Sequence, residues 1–392
     1  MQPPPRGHQS LVWPGAKNEP FRAEARQITN YLILHCAIDI HMATPPLVVP
    51  EQVEVVAKVT GEDSPNRTGT RFGFLATDLG ILWDDGSGGV LVAFGDTYGR
   101  GWRGPGAGAR SADHRRNILA RTTRPAAGTN DATGAGPDLD SGLRLESVIS
   151  DAQQHATEIL PRDRRAWFES TVIPTSGIAI GGVQYLHYMS VMRWRRRGWR
   201  TNYGGIAYST DGGRTWTKDR QARWRNSPLA RRPFQLGAFT RDEHSIYLFG
   251  TRNGRFSDIY LARVEPASVG DLSRYEYWTG AGWTGARRSS QRRAKPVAHG
   301  PAGELSVAFH RGLGRWLMVH LDDPAGRIVL RAADAVTGPW SEGQVLVSAA
   351  EYPALYGGFL HPHALDGDTI YFTMSQWGPY NVFLVRARLS VR

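Results

Sequence analysis

Five times along the chain two short apolar strands face each other across a turn, most of these turns rich in Gly or Asp. Phe72 to Asp84 and Val90 to Tyr98 flank Asp85-Gly86-Ser87-Gly88-Gly89. Ser176 to Ile180 turns through Gly181-Gly182 into Gln184 to Trp194, and Leu236 to Thr240 through Arg241-Asp242-Glu243 into Ser245 to Thr251. Leu305 to His310 turns through Arg311-Gly312 into Arg315 to Leu321, and Phe359 to Leu365 through Asp366-Gly367-Asp368 into Thr369 to Gln376. A further short strand follows each hairpin: Ile118 to Thr122, Gly205 to Ser209, Asp258 to Val264, Ile328 to Ala332 and Val382 to Ala387. More β candidates fall between units, at Arg144 to Val148, Glu276 to Thr279 and Gln344 to Val347. The turns repeat at steps of about 94, 61, 70 and 55 residues, the spacing of four-stranded propeller blades. Gly-rich stretches at 99–112 and 124–142 read as loops and account for the wide first step. No helical period competes, so the expected fold is all-β, a five-bladed β-propeller.

A second signal agrees. Ser209-Thr210-Asp211-Gly212-Gly213-Arg214-Thr215-Trp216 has the form of an Asp-box, a turn whose Asp and Ser fold back onto the backbone over a packed Trp. Its role is structural. The 45 Gly and 13 Trp fit the turns and blade packing of such a fold. Residues 1–52 are expected to form a flexible leader or to precede the true start, with the propeller at 53–392. No apolar run reaches the roughly 20 residues of a membrane helix. Ile28 to Ile40, the best stretch, is interrupted by Asn30, His35 and Asp39 and makes no convincing signal peptide. One Cys excludes an internal disulfide framework.

The charge balance of +11 suggests an anionic partner, but 43 of the 47 basic residues are Arg, a skew typical of GC-rich coding. The run Arg193-Trp194-Arg195-Arg196-Arg197-Gly198-Trp199-Arg200 interleaves cations with rings, yet it is one loop without a nucleic-acid fold, and no nucleic-acid partner is expected. Two acids carry more information. Asp78 and Asp96, in Thr77-Asp78-Leu79-Gly80 and Gly95-Asp96-Thr97, interrupt apolar strands, where carboxylates are disfavoured. They are symmetric about Ser87, so an unbulged hairpin makes them cross-strand partners with Cβ atoms about 5 Å apart. Carboxylates that close cannot both ionise easily, and one raised acid beside an ionised partner is the equipment of glycoside hydrolysis. The plainer reading is that each Asp caps a turn or pairs with an Arg. Asp84 and Asp85 read as solvated turn residues.

The run TGTRFGFLATDLGILWDDGSGGVLVAFGDTYG at 68–99 resembles the opening of an actinobacterial family first defined as domain of unknown function 4185 and assigned to endo-D-arabinofuranases, glycoside hydrolase family 183. The similarity continues through Asn117-Ile118-Leu119-Ala120-Arg121, the Asn202 to Trp216 segment, Asp366 to Tyr371 and Pro379 to Val382, covering roughly 53–389. The resemblance implies cleavage of internal α-linkages in the D-arabinan of mycobacterial arabinogalactan and lipoarabinomannan. It places the acidic pair on Asp78 and Asp96, without saying which is the acid. It also leans to inversion, which needs carboxyls roughly 6.5–9.5 Å apart, whereas the unbulged register points to the shorter retaining distance.

Further substrate-binding candidates are Asp113, Asn117, Glu169, Tyr203, His310, His363 and Trp377, with His361 and Tyr380 beside them. Asp113 lies among arginines that can pair with it. The histidines sit on strand ends and form no metal motif with nearby carboxylates. Tyr203, Trp377 and Tyr380 are placed to stack on furanose rings, although most aromatics here must be blade core. No cofactor is expected, and the partner is a polysaccharide, D-arabinan, met by a monomer. Such a substrate implies a secreted, envelope or phage-borne protein. The alternative is a non-catalytic carbohydrate-binding propeller, such as a phage-tail recognition domain.

Overall fold

The computed structural model describes residues 47–109, 111–122, 138–163, 168–195 and 198–392. Most of the expected leader lies outside them. Five antiparallel sheets form the blades of a propeller. Their inner strands are Leu79–Asp84, Thr171–Ile180, Leu236–Arg241, Leu305–His310 and Leu355–Leu360. Each packs against the next and the last against the first, so the ring closes at five.

Blade 1 continues outward through Val90–Phe94, Ile118–Thr122 and Leu145–Val148, and blade 2 through Val183–Trp194, Trp199–Ser209 and Thr217–Arg225. Blade 3 adds Ile246–Thr251, Ser257–Val264 and Glu276–Tyr277, with Pro296–Ala302 also pairing onto Ser257–Val264. Blade 4 adds Arg315–Asp322, Arg327–Ala333 and Gln344–Ser348. Blade 5 adds Thr369–Gln376 and Asn381–Val391, and its outer strand is Val48–Lys58, from the other end of the chain. The expected boundary at residue 53 therefore falls inside a strand. Hydrogen bonds between Val48–Lys58 and Asn381–Val391 pair the first and last strands of the described residues and close the ring non-covalently.

This topology sorts the loops between two faces. Inner-strand starts and the turns joining second to third strands gather on one face; the hairpin turns gather on the other. The Asp-box forms as expected. Asp211 accepts from Ser209 Oγ at 2.7 Å and from the Thr215 amide and hydroxyl at 2.9 and 2.6 Å, while Trp216 Nε1 donates to Gly213 O at 2.9 Å. These donors hold the Asp211 carboxyl far below its ordinary pKa.

Asp85 corrects the solvated reading. It is buried, its Oδ1 accepts from the Ser87 amide and hydroxyl and the Gly89 amide, and its Oδ2 meets Arg121 Nη1 at 2.7 Å. Arg121 in turn donates to Gly212 O, tying the first hairpin to the Asp-box of blade 2. Removing one partner of such a pair costs about 3 kcal/mol. Asp85→Ala is expected to lower the melting temperature by roughly 5 °C. An unchanged melting curve would remove this role.

Candidate active site

A cavity of about 690 Å³ opens on the face where the inner strands begin. Its floor carries a repeated element: Leu79, Leu236, Leu305 and Leu355 open four of the five inner strands and all line it. The residues before them are Asp78, Gln235, Glu304 and Ala354. Two of the four are acids, and both reach the cavity. Its walls come from the turns joining second to third strands: Asp96 and Tyr98 in blade 1, Trp194, Arg195 and Trp199 in blade 2, Arg255 in blade 3, Asp323 in blade 4, and Trp377 and Tyr380 in blade 5.

Asp78 and Asp96 line this one cavity, but not as direct cross-strand partners. Leu79 and Gly80 both have positive φ, 71° and 78°, and the ladder slips between Leu79/Phe94 and Ile81/Ala93. Asp78 consequently faces Gly95, whose amide donates to Asp78 O at 3.1 Å. The left-handed Leu79 is costly for a non-Gly residue. Blade 5 holds it there: Ser375 Oγ accepts from the Leu79 amide at 2.8 Å, and Thr373 Oγ1 donates to Gly80 O at 2.6 Å.

The Asp78 carboxyl sits in a tyrosine cradle. Tyr356 and Tyr380 each donate their hydroxyl to its Oδ2 at 3.0 Å. Its Oδ1 is shut off from solvent and has no hydrogen-bond partner among the described residues. Desolvation and then the nearby Asp96 charge push its pKa up to about 8, against the pull of the two hydroxyls. Burial also drives both tyrosine pKa values well above the ordinary phenol range, so they remain donors. The surroundings of Asp78 thus favour its neutral form. Asp96 is partly exposed, and its Oδ1 meets His114 Nε2 at 2.9 Å. His114 stacks on Tyr98 with ring centroids 4.8 Å apart, which orients the imidazole.

Trp377 lines the cavity, half exposed, with its ring edge-on to Tyr380. Tyr380 itself is buried and holds Asp78, so it is no stacking platform. The basic run is not one loop: Arg193 and Trp194 end one strand of blade 2, Trp199 and Arg200 begin the next, Trp194, Arg195 and Trp199 form cavity wall, and Arg196 and Arg197 lie outside the described residues.

The other candidates are not brought to this cavity. Asp113 pairs with Arg115 at 2.8 Å. Asn117 is fully buried, with its amide bonded to Leu160 O, Val172 O and the Leu160 amide. Glu169 is buried and accepts from Ser190 Oγ and the Asp163 amide. Tyr203 lies under the Arg223 guanidinium. His310 and His363 belong to the opposite face: His310 Nδ1 accepts from the Leu313 amide, and His363 Nε2 meets Asp84 Oδ2. His361 is buried, and desolvation lowers its pKa to about 3.

Sequence reasoning missed Glu304, Arg255 and Tyr356. The available signal was positional: Glu304-Leu305 repeats Asp78-Leu79 at the start of an inner strand.

Two curated relatives from Aspergillus align over most of the chain. Notoamide biosynthesis cluster protein J of Aspergillus sp. (strain MF297-2) is 31% identical over 88% of this chain and 91% of its own. Notoamide biosynthesis cluster protein J' of Aspergillus versicolor is 32% identical over 88% and 92%. These relatives are fungal, not actinobacterial. Among solved structures, a Bacteroides ovatus protein named as a hydrolase superposes with a TM-score of 0.56 at 14% identity, covering 82% of this chain and 88% of that one, which is a likeness of fold. Residues 63–386 match the domain of unknown function DUF4185, and the chain belongs to that family.

Proposed function

We propose that this protein is a glycoside hydrolase in which Asp78 is the general acid and Asp96 the general base. The observation that carries this reading is a carboxyl cradled by two tyrosine hydroxyls with its other oxygen shut off from solvent, where desolvation favours the neutral form, sharing one cavity with a second carboxylate that meets a histidine. Asp78 would protonate the leaving oxygen, and Asp96 would take a proton from the attacking water. His114 orients Asp96, and Tyr356 and Tyr380 orient Asp78. Trp377 and Trp194, both half exposed, offer apolar faces to sugar rings.

The substrate we propose, from the resemblance at 68–99, is an internal α-D-arabinofuranosyl linkage of arabinogalactan or lipoarabinomannan. Inversion is supported by the bulge at Leu79–Gly80, which takes the acids out of the tight cross-strand pairing. Incubation with mycobacterial arabinogalactan should release oligosaccharides whose first-formed anomer, read by NMR, is inverted. Glycan binding without release at long incubation would favour a non-catalytic binding propeller. A second reading, the same acid pair acting on a small molecule, draws support from the names of the two Aspergillus relatives. Turnover of small glycosides with none of arabinan would favour it.

A pH profile follows. The acid form of Asp78 is required and is lost as pH rises through about 8. The kcat/KM profile is therefore expected to fall tenfold per pH unit above about 8. A rate still level at pH 10 would remove Asp78 as the acid.

A further inference from the structure

Glu304 is 8% exposed, yet it lines the cavity that holds Asp78 and Asp96. Its two oxygens are treated unequally. Oε1 accepts from Arg255 Nε at 3.1 Å and Nη2 at 2.7 Å. Oε2 is buried and has no hydrogen-bond partner among the described residues. A buried carboxylate oxygen with no protein donor is costly, and a donor brought by a ligand would relieve that cost.

The surroundings fix Glu304 in place. The Leu321 amide donates to Glu304 O at 3.0 Å, which keeps its backbone in the blade 4 ladder. Arg255 is committed on every side: Nη1 donates to Asp323 Oδ1 at 3.1 Å, and the guanidinium lies over the rings of Trp199 and Tyr356. Gly303 leaves room for it, since a Cβ there would stand 2.9 Å from Arg255 Cγ. Arg255 therefore holds the Glu304 carboxylate and has little left for an anion. Because Tyr356 also grips Asp78, this unit abuts the acid pair.

We propose that Glu304 is a substrate-binding residue whose free Oε2 accepts a hydrogen bond from a hydroxyl of a neutral sugar ring seated beside Asp78 and Asp96. The inference rests on the glycosidase reading and adds a ligand class to it. The wall offers the carboxylates of Asp96, Glu304 and Asp323 against two cations, Arg195 and the already engaged Arg255, so a ring bearing its own carboxylate beside Glu304 meets more like charge than counter-charge.

The test uses the full-length Asp96→Asn variant as a turnover-free host and calorimetric titration with neutral arabino-oligosaccharides. Adding Glu304→Gln keeps the shape and one oxygen for Arg255 but replaces the other acceptor with a donor. The expected result is at least tenfold weaker binding. In the otherwise wild-type enzyme, KM should rise at least tenfold with kcat changed less than threefold. A residue that only supports the fold would lower the melting temperature of Glu304→Gln and leave Kd and KM where they were. On Asp96→Asn alone, which needs no change at residue 304, oligosaccharides carrying uronate rings should bind at least tenfold more weakly than neutral ones. Equal affinity for the two classes, or equal affinity with and without Glu304→Gln, overturns the inference. If wild type cleaves arabinan while Glu304→Gln changes nothing, the inference falls and the acid pair stands. If no glycan binds or turns over, both fall.

Discussion

Asp78→Asn is expected to lower kcat by about 10²–10⁴-fold and, at alkaline pH, to raise the melting temperature. Both effects come from the same burial. The wild-type carboxyl titrates near pH 8 in the folded protein, against 3.8 for the free side chain. Below pH 4 it is neutral whether the chain is folded or not. Between about pH 4 and 8 the unfolded chain sheds this proton and the folded one keeps it, so the wild type loses stability steadily as pH rises. Above 8 the loss is complete. Asparagine carries no such proton, and it still accepts from Tyr356 and Tyr380 through its oxygen. The melting temperature of the variant relative to wild type should climb from pH 4 to 8 and then level off. Asp96→Asn should lose activity comparably. Two results would sink the assignment: full activity in both variants, or melting curves for Asp78→Asn that track wild type at every pH.

The blades were legible in the sequence because each hairpin is local. Its two strands and its turn lie within about 25 residues, so alternating burial and turn chemistry sit in one window. What was not legible depends on partners far along the chain. Val48–Lys58 carries an ordinary amphipathic pattern, and nothing local says that its partner is Asn381–Val391. The bulge beside Asp78 has the same origin: Leu79 is held in a left-handed conformation by Ser375 and Thr373 of blade 5. Acids beside apolar runs drew attention to Asp78 and Asp96, which lie just outside the strands and line the cavity, but symmetry about Ser87 could not reveal a one-residue slip. Buried polar side chains gave a mixed signal. Asn117 and Glu169 look like site residues in sequence because they are polar between strands; in the fold they satisfy backbone amides and carbonyls. Glu304 looked unremarkable, because its meaning lies in being the blade 4 counterpart of Asp78 at the start of an inner strand.

Gly95→Ala should abolish most activity while leaving the propeller folded. Gly95 does not have the positive φ that demands glycine, so the methyl group adds no backbone strain. Its problem is what the methyl meets: Asp78 Oδ1 at 2.3 Å and Leu79 Cδ1 at 3.0 Å. The enclosed oxygen of the acid occupies the space that any side chain at 95 would fill, a direct result of the slip that sets Asp78 opposite Gly95. Leu79 cannot yield easily, since its backbone is pinned to blade 5. The carboxyl must therefore swing away from the tyrosine cradle, and a displacement near 1 Å costs about 10²-fold in rate. Overpacking of this size costs about 1–3 kcal/mol, a melting shift of several degrees in a domain this large. The pH profile separates displacement from simple destabilisation. A carboxyl driven out of its enclosed position is better solvated and ionises at lower pH, so any residual activity should fall off well below pH 8. Gly282→Ala is the matched control: a Cβ there meets nothing within 4 Å and its φ is not positive, so rate and pH profile should match wild type. If Gly95→Ala retained the wild-type rate with its alkaline limb still near pH 8, the enclosed carboxyl of Asp78 could not be the proton donor.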